Sequence, residues 1–102
     1  MEENLNIVIN GENMNISLKG RIGALVADSI TQEVLEKLEG IKHVYIDFKN
    51  VDYISSTGLR FLLVVQNEIN DIDGGTMELS SVPEVVMNVF EATGFTSILN
   101  IK

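Results

Sequence analysis

The chain has 102 residues, no cysteine and one histidine, with a net charge of −8 from 15 acidic and 7 basic side chains. That length suffices for one domain with its own core (residues 1–102) and is too short for two. The composition leaves no disulfide framework, thiolate metal site or histidine-rich metal cluster, and the acidic balance argues against nucleic acid and anionic membrane, which both need a basic patch.

No apolar run approaches the ~20 residues of a membrane-spanning helix. The start, Met1-Glu2-Glu3-Asn4, is acidic and polar, unlike a secretory signal, so a cytoplasmic location is expected. The surplus of acids permits a basic protein partner, although most of them serve solubility.

Leu5, Ile7 and Ile9 alternate with asparagines, and Met14, Ile16 and Leu18 alternate with polar residues. Period two marks two half-buried strands, and Asn10-Gly11 between them signals a hairpin. Gly20 ends the second strand, and Arg21 to Val26 reads as a connection. Ile30, Val34 and Leu38 then recur at helical spacing, which predicts a helix from about Ala27 to Glu39 with Gly40 as its stop. Val44, Ile46 and Phe48 give a third strand, central in the sheet if Tyr45 is also buried. His43 at its entrance reads as a surface or edge histidine.

The segment Asp52-Tyr53-Ile54-Ser55-Ser56-Thr57-Gly58-Leu59-Arg60 follows. It turns an extended chain into a helix running to about Asn70, with Leu59, Leu62, Leu63, Val65 and Ile69 as its apolar side. Hydroxyl side chains favour such a junction because they accept hydrogen bonds from the first free N–H groups of a helix. The same N–H groups and the helix dipole suit an anion, phosphate included. Two uses of the hydroxyls are open: an N-cap, or a site of chemical modification.

Asn70 to Gly75 is a turn-rich loop. Its Asp71 and Asp73 lack the later glutamate of a calcium loop, so no metal site is expected. Thr76 to Ser80 is a fourth strand. Ser81-Val82-Pro83-Glu84 reads as a capped helix start, with Val82, Val85, Val86, Val89 and Phe90 as the buried stripe. Gly94 is a left-handed stop with Phe95 folding back, and Ile98, Leu99 and Ile101 read as a final edge strand. Strands alternating with helices imply parallel pairs with right-handed crossovers. The expected fold class is therefore a small α/β sandwich with a mixed four- to five-stranded sheet and about three helices.

These segments resemble the STAS domain family, in particular the small bacterial anti-sigma factor antagonists. The resemblance rests on Gly20-Arg21-Ile22, Val44-Tyr45-Ile46-Asp47-Phe48, Tyr53 to Arg60, Gly75-Thr76-Met77 and Val89 to Phe95, in the same order along nearly the whole chain. It implies a non-enzymatic switch protein without a cofactor. In the family, the unmodified antagonist binds an anti-sigma factor that is also a serine kinase, which releases a sigma factor. Phosphorylation at the start of the second helix switches the antagonist off, and a metal-dependent serine phosphatase restores it. Laid on this chain, the resemblance makes Ser56 the modified serine, flanked by Thr57, Gly58 and Leu59. Ser55, Arg60, Arg21 and Gly23 join the partner surface.

Two departures stand out: Ser55 and Gly23 occupy positions where the family carries aspartates. They keep open an alternative, a non-phosphorylated STAS scaffold or accessory subunit of a stress-signalling or transport complex. A serine esterase reading requires Gly-x-Ser-x-Gly and a base held by an acid. Only His43 could serve as that base, so no catalytic residue is assigned. A small-ligand site at the same helix start would need a cleft.

Overall fold

The computed structural model describes residues 3–102. The elements are β1 (Leu5–Asn10), β2 (Asn13–Ile22), α1 (Ala24–Glu36), β3 (His43–Ile54), α2 (Ser56–Asn70), β4 (Thr76–Ser80) and α3 (Glu84–Thr93), then a 3-10 turn, Phe95–Ser97. The strands form one mixed sheet in the order β1-β2-β3-β4. β1 pairs antiparallel with β2, while β2, β3 and β4 are parallel neighbours. The α/β class and mixed sheet match the expectation.

The β1–β2 hairpin closes with Asn10 opposite Asn13. Gly11 takes φ 59° at the turn, a conformation that glycine adopts without steric cost. Met14, Ile16, Leu18, Val44, Ile46 and Phe48, expected to point inward, are buried on one sheet face together with Met77 and Leu79, and on β1 Leu5 and Ile7 are half-buried while Ile9 stays exposed. The helices cover that face. α2 buries Leu59, Phe61, Leu62, Val65 and Ile69, and α1 buries Ala27, Ile30 and Val34. Tyr45, on the opposite face, is half-buried. His43 bonds through Nδ1 to Thr76 Oγ1 (2.7 Å) at the strand entrance.

β3 is longer than its alternation suggests. After Ser17↔Asp47 the next rungs are Lys19↔Asn50, Gly20↔Val51 and Arg21↔Tyr53, so β3 carries an extra residue twice. Each bulge breaks the period-two pattern and leaves Phe48, Val51 and Ile54 buried at intervals of three. At the first bulge the Lys49 N–H donates to Asp47 Oδ1 (2.9 Å).

α1 starts earlier and ends earlier than expected. The helix begins at Ala24 rather than near Ala27, with Gly23 as its N-cap, and ends at Glu36 with Lys37 as its C-cap. The Lys37 and Leu38 N–H groups reach only three residues back, to Val34 (3.0 Å) and Leu35 (3.4 Å). This tightened end still tucks Leu38 into the core, and Gly40 shapes the following turn at φ 80°. α3 also departs from expectation. Ser81 is not its cap but takes φ 53°, and Pro83 is the N-cap without a side-chain bond. Starting at Glu84 rotates Val86 and Phe90 inward and leaves Val85 53% exposed.

Gly94 ends α3 at φ 80° as expected, and Phe95 stacks on Phe90 with centroids 6.4 Å apart. The final edge strand reduces to one bridge, Leu79↔Ile101. There the Leu79 N–H donates to the Asn100 carbonyl (2.9 Å) and the Lys102 N–H to the Leu79 carbonyl (2.8 Å). Lys102 Nζ also pairs with Glu78 Oε1 at 2.9 Å.

Phe90 is fully buried between the Phe95 stack and the edge-on Phe48 ring, 6.0 Å away. Phe90→Ala is expected to cost about 3–5 kcal/mol of stability. Chemical denaturation measures this, and a loss below about 1 kcal/mol would contradict the packing described.

Candidate functional site

The site forms where β2 and β3 end together. Their last rungs are Arg21↔Tyr53 and Ile22↔Ile54, and the Ser55 N–H donates to the Ile22 carbonyl (2.9 Å). The two chains therefore leave the sheet side by side, and each enters a helix at the next residue: Gly23 is the N-cap of α1 and Ser55 the N-cap of α2. Two helix N-termini with their unpaired amides thus emerge beside one another, as at the carboxyl ends of strands in other open α/β sheets.

Within the Ser-Ser-Thr run the roles separate. Ser55 is extended (φ −87°, ψ 172°), and its Oγ accepts the Gly58 N–H at 3.1 Å. Its carbonyl accepts the Leu59 N–H at 3.0 Å. Capping thus falls to Ser55, and Ser56, the first helical residue, is exposed. Thr57 is half-buried and Gly58 buried. Arg60, one turn along from Ser56 and on its side of the helix, is exposed.

The two site glycines differ in kind. A Cβ on Gly58 would meet Ile54 Cγ1 at 2.6 Å and Ile22 Cγ2 at 3.3 Å, so glycine is required for α2 to approach the sheet ends. A Cβ on Gly23 would meet nothing within 4 Å, and its φ of −80° suits any residue. The absence of an acid there is therefore no consequence of packing. Neither α1 nor α2 has an acidic residue in its first turn, so the positive ends of both dipoles go without an internal counter-charge.

Beside these termini, Arg21 lies over the Tyr53 ring, 3.9 Å from its centroid, a cation–π contact that holds the guanidinium at the rim. Leu25, in the first turn of α1, is 86% exposed. Arg21, Gly23, Ala24, Leu25 and Val26 line a shallow hollow there. The structure thus brings Ser55, Ser56, Thr57, Gly58, Arg60, Arg21 and Gly23 to one end of the sheet. The sequence reading held Leu25 only as part of the Arg21 to Val26 connection and Tyr53 only as part of the motif, with no role for either side chain. Leu25 lies off the Ile30–Val34–Leu38 stripe, and an apolar residue outside the buried face was its available signal. His43 lies at the far end of β3, so the ring and Ser56 do not form a catalytic pair. Among the described residues no cluster of His, Asp or Glu is arranged to hold a metal, and no helix is long and apolar enough to cross a membrane.

A mixed sheet covered by helices on one face, with two adjoining helix N-termini, a presented hydroxyl and an exposed apolar rim at one end, defines a small α/β module. The chain belongs to the STAS domain family, whose model matches residues 4–102. It is 33% identical over 82 residues to BtrV of Bordetella bronchiseptica, described as a candidate anti-sigma factor antagonist, covering 79% of this chain and 70% of that protein. It is 24% identical over 102 residues to the anti-sigma-B factor antagonist of Bacillus subtilis, covering 100% of this chain and 93% of that protein. The fold matches that of the Bacillus cell fate determinant SpoIIAA in its phosphorylated form with a TM-score of 0.76, at 15% identity, over 96% of this chain and 90% of that one.

Two substitutions separate the glycines. Gly58→Ala is expected to destabilise by about 1–3 kcal/mol, because the Ile54 side chain must move. Gly23→Asp is expected to leave the melting temperature unchanged or raise it, since aspartate is a good N-cap and complements the dipole. Ser55→Ala removes the cap bond and is expected to cost about 1 kcal/mol, whereas Ser56→Ala should be neutral. Thermal melts of the four variants test the assignment, and equal losses for Ser55→Ala and Ser56→Ala would contradict it.

Proposed function

We propose that this chain is an anti-sigma factor antagonist that docks on an anti-sigma factor with serine-kinase activity through the surface around Ser56, and that phosphorylation of Ser56 ends the interaction. The observation that carries this reading is the division of labour in the hydroxyl run: Ser55 is engaged as the cap, and Ser56 is presented to solvent. Membership of the STAS family and the relatives' names support the partner class. That SpoIIAA has a phosphorylated form supports the modification.

In the modification, Ser56 Oγ attacks the γ-phosphorus of ATP, ADP leaves, and a base on the kinase takes the hydroxyl proton. The new group carries about −1.5 to −2 charges. It would lie against the first amides of α2 with Arg60 one turn along, so the backbone changes little and the switch acts at the docking surface. A metal-dependent phosphatase would hydrolyse the ester and return the serine. Leu25 supplies the apolar contact, and Arg21, held on Tyr53, the polar rim.

A second reading, a STAS scaffold or accessory subunit without a phosphoswitch, draws on the lack of any first-turn acid at α1 and α2. The two readings differ in how they respond to charge at residue 56. A partner pocket shaped for a neutral hydroxyl would bury a carboxylate without a matching cation, at a cost of several kcal/mol.

Ser56→Ala is expected to bind the partner within about tenfold of wild type, since it loses at most one ordinary hydrogen bond. Ser56→Asp is expected to bind about a hundredfold more weakly or worse. Calorimetry with the partner co-purified from the cells of origin measures both, and melts near wild type exclude a damaged helix. Equal affinities would remove the phosphoswitch and leave the scaffold reading.

A further inference from the structure

The sheet has two edges, and among the described residues only the β4 edge is closed. At β4 the C-terminal tail exchanges backbone hydrogen bonds with Leu79, and Lys102 pairs with Glu78. At β1, among the described residues, no further strand continues the ladder. An open edge is a template for another strand, and folded proteins usually blunt it with charge, proline or a bulge. Leu5-Asn6-Ile7-Val8-Ile9-Asn10 contains no charged residue and no proline, and its register with β2 is unbroken. Val8 and Ile9 are 48% and 45% exposed.

The hydrogen-bond phase of β1 follows from one contact. The Lys19 N–H donates to the Asn4 carbonyl (3.0 Å), one rung before Leu5↔Leu18. In an antiparallel pair, hydrogen-bonded and non-bonded rungs alternate. Asn4, Asn6, Val8 and Asn10 therefore turn their backbone groups toward β2, and Leu5, Ile7 and Ile9 turn theirs to the open edge. The same three side chains lie on the helix-covered face, opposite Leu18, Ile16 and Met14.

We infer that β1 pairs antiparallel with β1 of a second copy, on a two-fold axis through Ile7, to give a continuous eight-stranded sheet. This register brings Ile7 against its own counterpart and Leu5 against Ile9, so the backbone groups left open by the monomer meet each other. The three apolar side chains of each copy extend one layer beneath the helices, while Asn6 faces Val8 on the other side. Under this two-fold the outward-bonding residues meet only apolar counterparts, Ile7 with Ile7 and Leu5 with Ile9, with no charge or proline to oppose them, so a second copy satisfies both the backbone and the side chains of a closed isologous interface. One strand edge is at the small end of specific interfaces, so the dimer is weak. Each copy carries −8, and Glu3 of one copy approaches the Gly11-Glu12 turn of the other. Salt that screens this repulsion strengthens the association. No residue of the Ser56 surface takes part, so either proposal stands if the other fails.

Sedimentation velocity, from low micromolar to millimolar protein in low and high salt, reads the association directly. Concentration-dependent dimer that grows with salt is expected. Ile9→Glu, at an exposed position, should weaken it at least about tenfold, or about 1.4 kcal/mol. Val85→Glu, the same charge change on α3, should not. The chain has no cysteine, so Ile7→Cys provides a clean second readout. Paired rungs across the axis lie about 5.5 Å apart at Cα, within disulfide reach, and oxidation should give a covalent dimer that Glu68→Cys does not. Far-UV circular dichroism confirms that each variant is folded. A monomer at every concentration and salt, with no Ile7→Cys dimer, overturns the inference. So does a dimer indifferent to Ile9→Glu.

Discussion

The parallel ladder between β2 and β3 is the constraint on which everything else in the structure depends. It is the longest pairing in the sheet, and it ends with Ile22 beside Ile54 and the Ser55 amide bound to the Ile22 carbonyl. Because both strands stop at the same height and both lead into helices, α1 and α2 begin as neighbours and pack along each other. Gly58 lets α2 come down onto Ile54 and Ile22. With a larger residue there, the two helix starts, the hydroxyl and the exposed rim would separate together.

The electrostatics of that end follow from what the helices lack. Each N-terminus presents unpaired amides, and neither carries a carboxylate in its first turn. In a chain of net charge −8, this leaves two positive backbone ends side by side, with Arg21 and Arg60 close to them in sequence and the exposed Asp52 at the end of β3. The negative field of the whole protein and a short-range tolerance of an anion at α2 are compatible, because salt screens the first over distance while the second acts at contact.

Much of this could be read from the residues, and the failures have physical causes. The alternation in Leu5–Ile9, Met14–Leu18 and Val44–Phe48 located the strands and their inward faces, because a sheet covered on one side imposes period two. Ser55 and Ser56 were legible as a junction, but which of them caps the helix could be read only by aligning the motif, since capping depends on which serine is extended. Beyond Phe48 the period vanished because two bulges displaced it, so half of β3 went unseen. Ser81 looked like a cap by type. The chain instead needed a left-handed step there to turn from β4 into α3. Leu25 and Tyr53 stood in a connection and a motif without roles of their own, because which apolar side chains of a connection stay exposed depends on how the helices pack.

The bulges of β3 also limit how this fold can change over time. Side chains in a strand alternate, so gaining or losing one residue between Phe48 and Ile54 would send every later side chain to the opposite face. Ile54 would then point to solvent, and the serines would enter the helix from the wrong side. A change of two residues would keep the faces but move Ser55 by about 7 Å relative to Gly23, so the two helix starts would no longer meet. Sequence drift in this segment is therefore confined to substitution: its length is a measured part, set against β2 as a gauge, and lineages that keep the surface must keep the count.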